Sequence, residues 1–194
     1  MQTSGERHTS YDEGARKFGL FMATIIVTIV LAGAYGILHD QLTYSISREY
    51  FTKFKFAQFG YVLTADRDER KTVIYIGFLA TWWVGFIIGF VIGVMGFIYS
   101  RYENMRSAVV VGLVIVFASA IFFGFLGYFW GKFYLSQHGV DWLIPIDVTD
   151  RESFITVGSI HNFSYLGGVA GLLFAIVYMI RNKTLLVRES LRSK

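Results

Sequence analysis

The sequence contains no cysteine. Disulfides, thiolate-bound metals and cysteine nucleophiles are thereby excluded, and cysteine usage says nothing about a redox compartment. Proline occurs once, at Pro145 between two apolar runs, so no long helix is kinked by proline. Charge is scarce too: Asp, Glu, Lys and Arg make up 16% of the 194 residues, against about 25% in soluble domains. A Gly-rich phosphate loop, a paired-glycosidase signature, a GxSxG elbow and an HExxH helix are all absent. What is present is apolar and aromatic, 54% and 18% of the chain. This is a membrane composition.

Four stretches are long enough to cross a bilayer core, which needs about 20 apolar residues in a helix. They are 18–38, 72–98, 108–130 and 154–180. The runs are continuous and do not alternate, which argues against a transmembrane β-barrel. The expected fold is all-α, a polytopic membrane protein with a bundle of four transmembrane helices. Loops 39–71 and 131–153 would form an extracytoplasmic cap, and tails 1–17 and 181–194 would lie in the cytoplasm. Lys and Arg set this direction: Arg7, Arg16 and Lys17 lie in the first tail and Arg101 and Arg106 in the short link. Arg181, Lys183, Arg188, Arg192 and Lys194 follow the last span. Short segments rich in positive charge stay inside. The expected location is the bacterial inner membrane, with both termini cytoplasmic and the lipid bilayer as partner. The net charge of +4 has no basic stripe behind it, so no nucleic-acid partner is expected. Ala32-Gly33-Ala34 gives a lesser reading as a signal-peptide cleavage site, against which the preceding run is long enough to span.

The glycines fall in register. Gly77, Thr81, Gly85, Gly89 and Gly93 repeat every fourth residue of the second span, a smooth stripe on which another helix backbone can lie. The third span offers Ala120, Gly124, Gly127 and Gly131; the fourth offers Ser164, Gly168, Gly171 and Ala175. Packing within the bundle is the first reading of these stripes; a homo-oligomer or a membrane-complex partner is the second. In the first loop, YFTKFKFAQFGY (50–61) alternates rings with lysines. It is expected to hold a short amphipathic helix at headgroup level, rings down and lysines up.

The polar residues of ILHDQLTYSISREYF (37–51) stand where the first apolar run ends. His39 shares a helical face with Thr28, Ala32, Tyr35 and Gly36. The fourth span runs in the opposite sense and carries His161 and Asn162 near its start, with Ser164, Tyr165 and Gly168 on the face of His161. Both histidines are therefore expected at the same outer depth, turned into the bundle. Ionisable residues at such depth usually have a partner or a function. Imidazole with carboxylate suits zinc, iron or manganese, giving His39, His161, Glu49 and Asp40 as candidate ligands. Gln41, Asn162, Tyr165 and Trp82 are candidate contacts for a bound ligand, while Asp141, Asp147 and His138 could approach from the third loop. The plain alternative is an interhelical hydrogen-bond network, and a bis-histidine haem b is a further one.

The segments HDQLTYSISREYFT (39–52), ATWWVG (80–85) and SIHNFSYLGG (159–168) together resemble a family of small bacterial four-span membrane proteins with an HDQ…EYF motif after the first helix. In that family a proline often precedes the motif's glutamate; Arg48 stands there in this chain. The resemblance implies the four-helix fold and the polar motif residues, and transfers no activity. The function expected is an integral membrane protein binding a metal ion or polar ligand at its outer face, with metal-dependent catalysis as an extension. A non-catalytic accessory or structural subunit is the rival class.

Overall fold

A computed structural model describes the backbone of residues 4–62 and 68–192, and the side chains of 12–62 and 68–192. Arg7 and Lys194, used above to orient the chain, lie outside the described side chains. Helix is the regular structure throughout the described residues. Four long helices carry the fold: α1 (Ser4–Ile46), α2 (Glu69–Gly96), α3 (Tyr102–Trp130) and α4 (Arg151–Arg192). Each is long and apolar enough to cross a membrane.

The helices outrun the apolar stretches that announce them. Nothing between Ile37 and Ile46 breaks the first one: no glycine or proline intervenes, and the Thr43 and Ser45 hydroxyls bond back to the carbonyls of His39 and Gln41. His39, Asp40 and Gln41 therefore lie on α1 itself, not in a loop. The residues after α3 stay helical to His138, through one widened turn in which the N–H of Ser136 reaches five residues back to Gly131. At 42 residues, α4 is about 63 Å long, so most of the expected C-terminal tail is helix.

Helix starts are fixed by local chemistry. Asp68 accepts from the N–H groups of Arg70 and Lys71 ahead of α2, and Asp150 from that of Ser153 ahead of α4. Arg101 supplies no side-chain cap to α3; Glu13 of α1 accepts from the N–H of Tyr102 instead, at 2.8 Å. Successive helices are antiparallel, so the C-termini of α1 and α3 meet the N-termini of α2 and α4 at one end.

Contacts divide the bundle into two pairs, α1 on α2 and α3 on α4, with much sparser packing between them. The α2 stripe makes the first seam: a Cβ on Gly77 would come within 2.6 Å of the Gly36 carbonyl oxygen, and Thr81 donates across to the carbonyl of Ala32 at 2.8 Å. In the second seam the expected phase is off by one residue. Gly167, with Gly171 and Ala175, meets α3, whereas a Cβ on Gly168 would meet nothing within 4 Å. Both phases fit a helical repeat; the chain uses Gly168 to line a cavity between the pairs.

The segment after α1 (48–58) is helical, as expected, but its middle turn is wide, with the N–H of Phe56 bonded to the carbonyl of Phe51. Such turns occur often at functional sites. Phe51 and Phe56 join Tyr50, Val73, Ile76, Val148, Phe154 and Val157 in an apolar cluster. A second cluster, around Ile92, Tyr99, Met105 and Met179, closes the opposite end.

Candidate functional site

The widened turn positions one side chain that the sequence reading missed. Lys55 was expected to point up into solvent; it is 4% exposed and enters the bundle. Its Nζ lies 2.7 Å from each carboxylate oxygen of Asp40 and 3.0 Å from Nε2 of His161. Burial pushes the Lys55 ammonium below the ordinary lysine value, while Asp40 opposes that shift. A lysine set between Phe54 and Phe56 was the available signal. A regular α-helical phase does not reveal what a widened turn does to it.

His161 is fixed by its neighbours. Its Nδ1 lies 2.9 Å from the Val157 carbonyl oxygen, which can only accept, so Nδ1 carries a proton. With Lys55 charged, Nε2 accepts from the ammonium. With the proton moved across that 3.0 Å contact, Nε2 donates to Asp40 Oδ1 at 3.1 Å and Lys55 is neutral. Both arrangements set one positive charge against one carboxylate. One proton can thus sit on Lys55 or on His161 without changing the trio's net charge. Tyr50 stacks on the His161 ring, with centroids 5.1 Å apart, and burial pushes its hydroxyl pKa well above the usual range.

His39 completes the cluster. Its ring meets that of His161 edge to face, with centroids 4.8 Å apart. The sequence reading that placed both histidines at one end, turned inward, holds in this geometry. Nδ1 of His39 faces the Tyr35 hydroxyl at 3.4 Å, but its buried Nε2 has no hydrogen-bond partner. One donor atom from each of His39, Asp40 and His161 lies within 4.8 Å of the others, a group that could hold a metal ion. The position between Asp40 and His161 is taken by the Lys55 ammonium. A bis-histidine haem would need a macrocycle between two rings that are already in contact.

Of the other candidates, Glu49, Gln41 and Trp82 separate from this group, while Asn162 and Tyr165 stay beside it. Glu49 is drawn away to the turn before α4, where it accepts from the N–H groups of Thr149 and Asp150 (3.0 and 2.8 Å), the Thr149 hydroxyl and Lys53. Lys53 and then the Asp150 N–H hold its carboxyl well down, at about 2. Gln41 exchanges hydrogen bonds with Arg70 at the start of α2. Both tryptophans are exposed, but it is Trp83, one helical step of about 100° from Trp82, that lines the cavity. Asn162 and Tyr165 line a cavity of about 460 Å³ together with Lys55, His161, Trp142 and Leu143, and Tyr165 also lines the cavity beside His39. Asp147 pairs with Lys53 and His138 stacks on Tyr134, both away from the histidine pair; Asp141 is exposed.

Glu49 makes the acid stability of this end testable. Its folded pKa lies below the ordinary 4.5, so its contribution is complete above about pH 4.5 and is lost as pH falls toward 2. Glu49→Gln is expected to lower the thermal midpoint by a few degrees at pH 7 and to leave it near that of wild type at the acid end. Melting curves in detergent across this range read the effect. Equal loss at every pH would mean that the carboxylate charge contributes nothing.

The site is therefore a buried Asp40–Lys55–His161 trio with an unsatisfied His39 beside it. No family model, curated protein or solved structure matches the chain.

Proposed function

We propose that the chain is an integral membrane protein that binds a small ligand through a polar group at the outer face of the membrane, using the free Nε2 of His39 beside the paired Asp40–Lys55–His161 trio. The observation that carries this reading is the buried, partnerless Nε2 of His39. A buried polar atom without a partner costs about 1–3 kcal/mol and is rare in native proteins. This one adjoins a charged trio on the wall of a cavity, and a ligand's hydroxyl or carbonyl would satisfy it. The segments carrying Phe51 and Val148 serve as the outer lid. The likeness to the HDQ…EYF membrane family accords with this assignment, with His39 and Asp40 at the site, Glu49 fastening the lid to α4, and Tyr50 backing His161.

Native mass spectrometry of chain extracted gently from membranes tests the reading. A stoichiometric small molecule is expected on the wild type and not on His39→Phe. Identical ligand-free spectra from both would remove the proposal.

Basic side chains at the opposite end, among them Arg16, Arg101, Arg106, Arg181 and Lys183, support a bacterial inner-membrane protein with cytoplasmic termini. Because the chain has no cysteine of its own, single cysteines can map this. A membrane-impermeant maleimide is expected to label Gln137→Cys in intact spheroplasts, but Glu189→Cys only after lysis. The reverse pattern would invert the topology.

A second reading, with zinc, iron or manganese as the ligand, is favoured by the three donors of His39, Asp40 and His161; a metal-dependent enzyme belongs to this reading. The ion must then displace Lys55. Lys55→Met is expected to retain zinc close to one per chain under the metal reading, and His39→Ala with His161→Ala to abolish it. Under the leading reading, wild type purified without chelator carries little metal.

A further inference from the structure

The cavity beside the trio spans about 380 Å³, at the lower end of the range for small-molecule sites. Ala32, Ala80, Val116, Ala120 and Leu172, from all four helices, give it an apolar body. Apart from Thr81, whose hydroxyl is bonded to the carbonyls of Ala32 and Gly77, its polar groups gather toward one end, around His39, Asp40, Lys55 and His161 with Tyr35, Ser164 and Tyr165 within a turn of the histidines. It lies where the two helix pairs touch least, and its rim includes Trp83, Ile87 and Val169, each 45–61% exposed. The mouth of this cavity therefore opens sideways between α2 and α4, on the flank that would face acyl chains; a second cavity, lined by Phe54, Trp142 and Leu143 of the lid, also reaches Lys55 and His161. This sideways opening and one-ended polarity are what an amphiphile entering from a bilayer requires.

Charge narrows the head group. Asp40 and Lys55 cancel, and the proton that Lys55 and His161 can exchange leaves their sum unchanged. The ammonium's three hydrogens are already committed, to two Asp40 oxygens and to His161. A charged head would enter a buried, neutral cluster with no counter-charge to meet it, which is strongly unfavourable. A neutral head needs only the free Nε2 of His39, which donates to a carbonyl or accepts from a hydroxyl according to tautomer.

We infer that the ligand is a neutral membrane-soluble amphiphile, its hydroxyl or carbonyl head at His39 beside the Asp40–Lys55–His161 trio and its apolar part in the cavity between the helix pairs. This deepens the binding role proposed above and rests on it. A cavity of this size holds the head and a short stretch of chain; a longer tail leaves through the gap by Trp83 and Val169.

The test uses the full chain in lipid nanodiscs and three diazirine-bearing probes of equal tail length: hexadecanol, hexadecanoate and hexadecylamine. Photolabelling by the alcohol is expected to exceed that by either charged probe, to fall on peptides containing Trp83 or Val169, and to be competed by a short-tailed quinone. His39→Phe should weaken it about five- to tenfold, the worth of one hydrogen bond. Gly168→Leu, which fills the cavity, should abolish it, and Leu172→Trp repeats that test should the first variant fold poorly. Preference for a charged probe overturns the neutral head. Loss on His39→Phe with none on the cavity-filling variants overturns the amphiphile and leaves a polar ligand at the trio. No loss with any variant removes both readings.

Discussion

Replacing Asp40 by Ala is expected to destabilise the chain more than any other single change at the site, by about 3–5 kcal/mol, because it strands the Lys55 ammonium in the interior without its counter-ion. Both side chains are almost wholly buried, and both oxygens of Asp40 are used by Lys55. Lys55→Ala strands the carboxylate instead and should cost a similar amount. The pair as a whole is a different matter. Replacing both partners with apolar residues of similar volume removes two desolvation costs together with one attraction, and such replacements are often neutral or stabilising by about 1–4 kcal/mol. Asp40→Leu combined with Lys55→Met is therefore expected to recover most of what either single change loses. A double-mutant cycle on thermal or denaturant unfolding in detergent measures this directly. If each single change costs under about 1 kcal/mol, as exposed ion pairs do, then the trio is open to water and the dry site described above does not exist. If the double variant folds as well as wild type yet no longer binds its ligand, the charges are retained for binding.

The fold was legible because its signals are long and redundant. Four uninterrupted apolar runs leave few alternatives, and the α2 glycine stripe marks a seam that the structure uses residue by residue against α1. The meeting of His39 and His161 was legible for a topological reason: antiparallel neighbours bring the end of the first helix to the start of the fourth. What failed were arguments of phase and of long-range partnership. Gly167 and Gly168 are adjacent, so the stripe of α4 could be written through either; the fit against Ser119 and Phe123 decides for Gly167. Lys55 was misplaced because lysines among rings at a membrane surface are ordinarily solvated, and because one widened turn resets which residues share a face. Glu49 was misassigned as a metal ligand because nothing near it in sequence announces the turn at Thr149 and Asp150 that claims it. Trp82 was chosen over Trp83 with no local signal to separate them, since a one-residue step on a helix changes facing but not composition.

The second large effect is steric. At Gly85 a Cβ would stand 2.5 Å from the carbonyl oxygen of Thr28 and 2.7 Å from Cβ of Ala32. Neither neighbour can swing away, the first being backbone and the second having no rotamer. Gly85→Ala is thus expected to part α1 from α2 over at least a turn and to cost about 1–3 kcal/mol, the usual range for overpacking, with bulkier residues costing more. Lipid provides no compensating hydrophobic drive to press the helices together again. The matched control is Gly168→Ala on α4, where a Cβ meets nothing within 4 Å. There the same substitution should be neutral or stabilising by up to about 1 kcal/mol, the gain in helix propensity from glycine to alanine. Unfolding in detergent compares the two on equal terms, since composition, mass and charge change identically. Opposite signs establish that close backbone approach, and not glycine as such, holds α1 on α2. Equal tolerance at both positions would separate α1 from the seam assigned to it, and with it His39 and Asp40 from their places opposite His161.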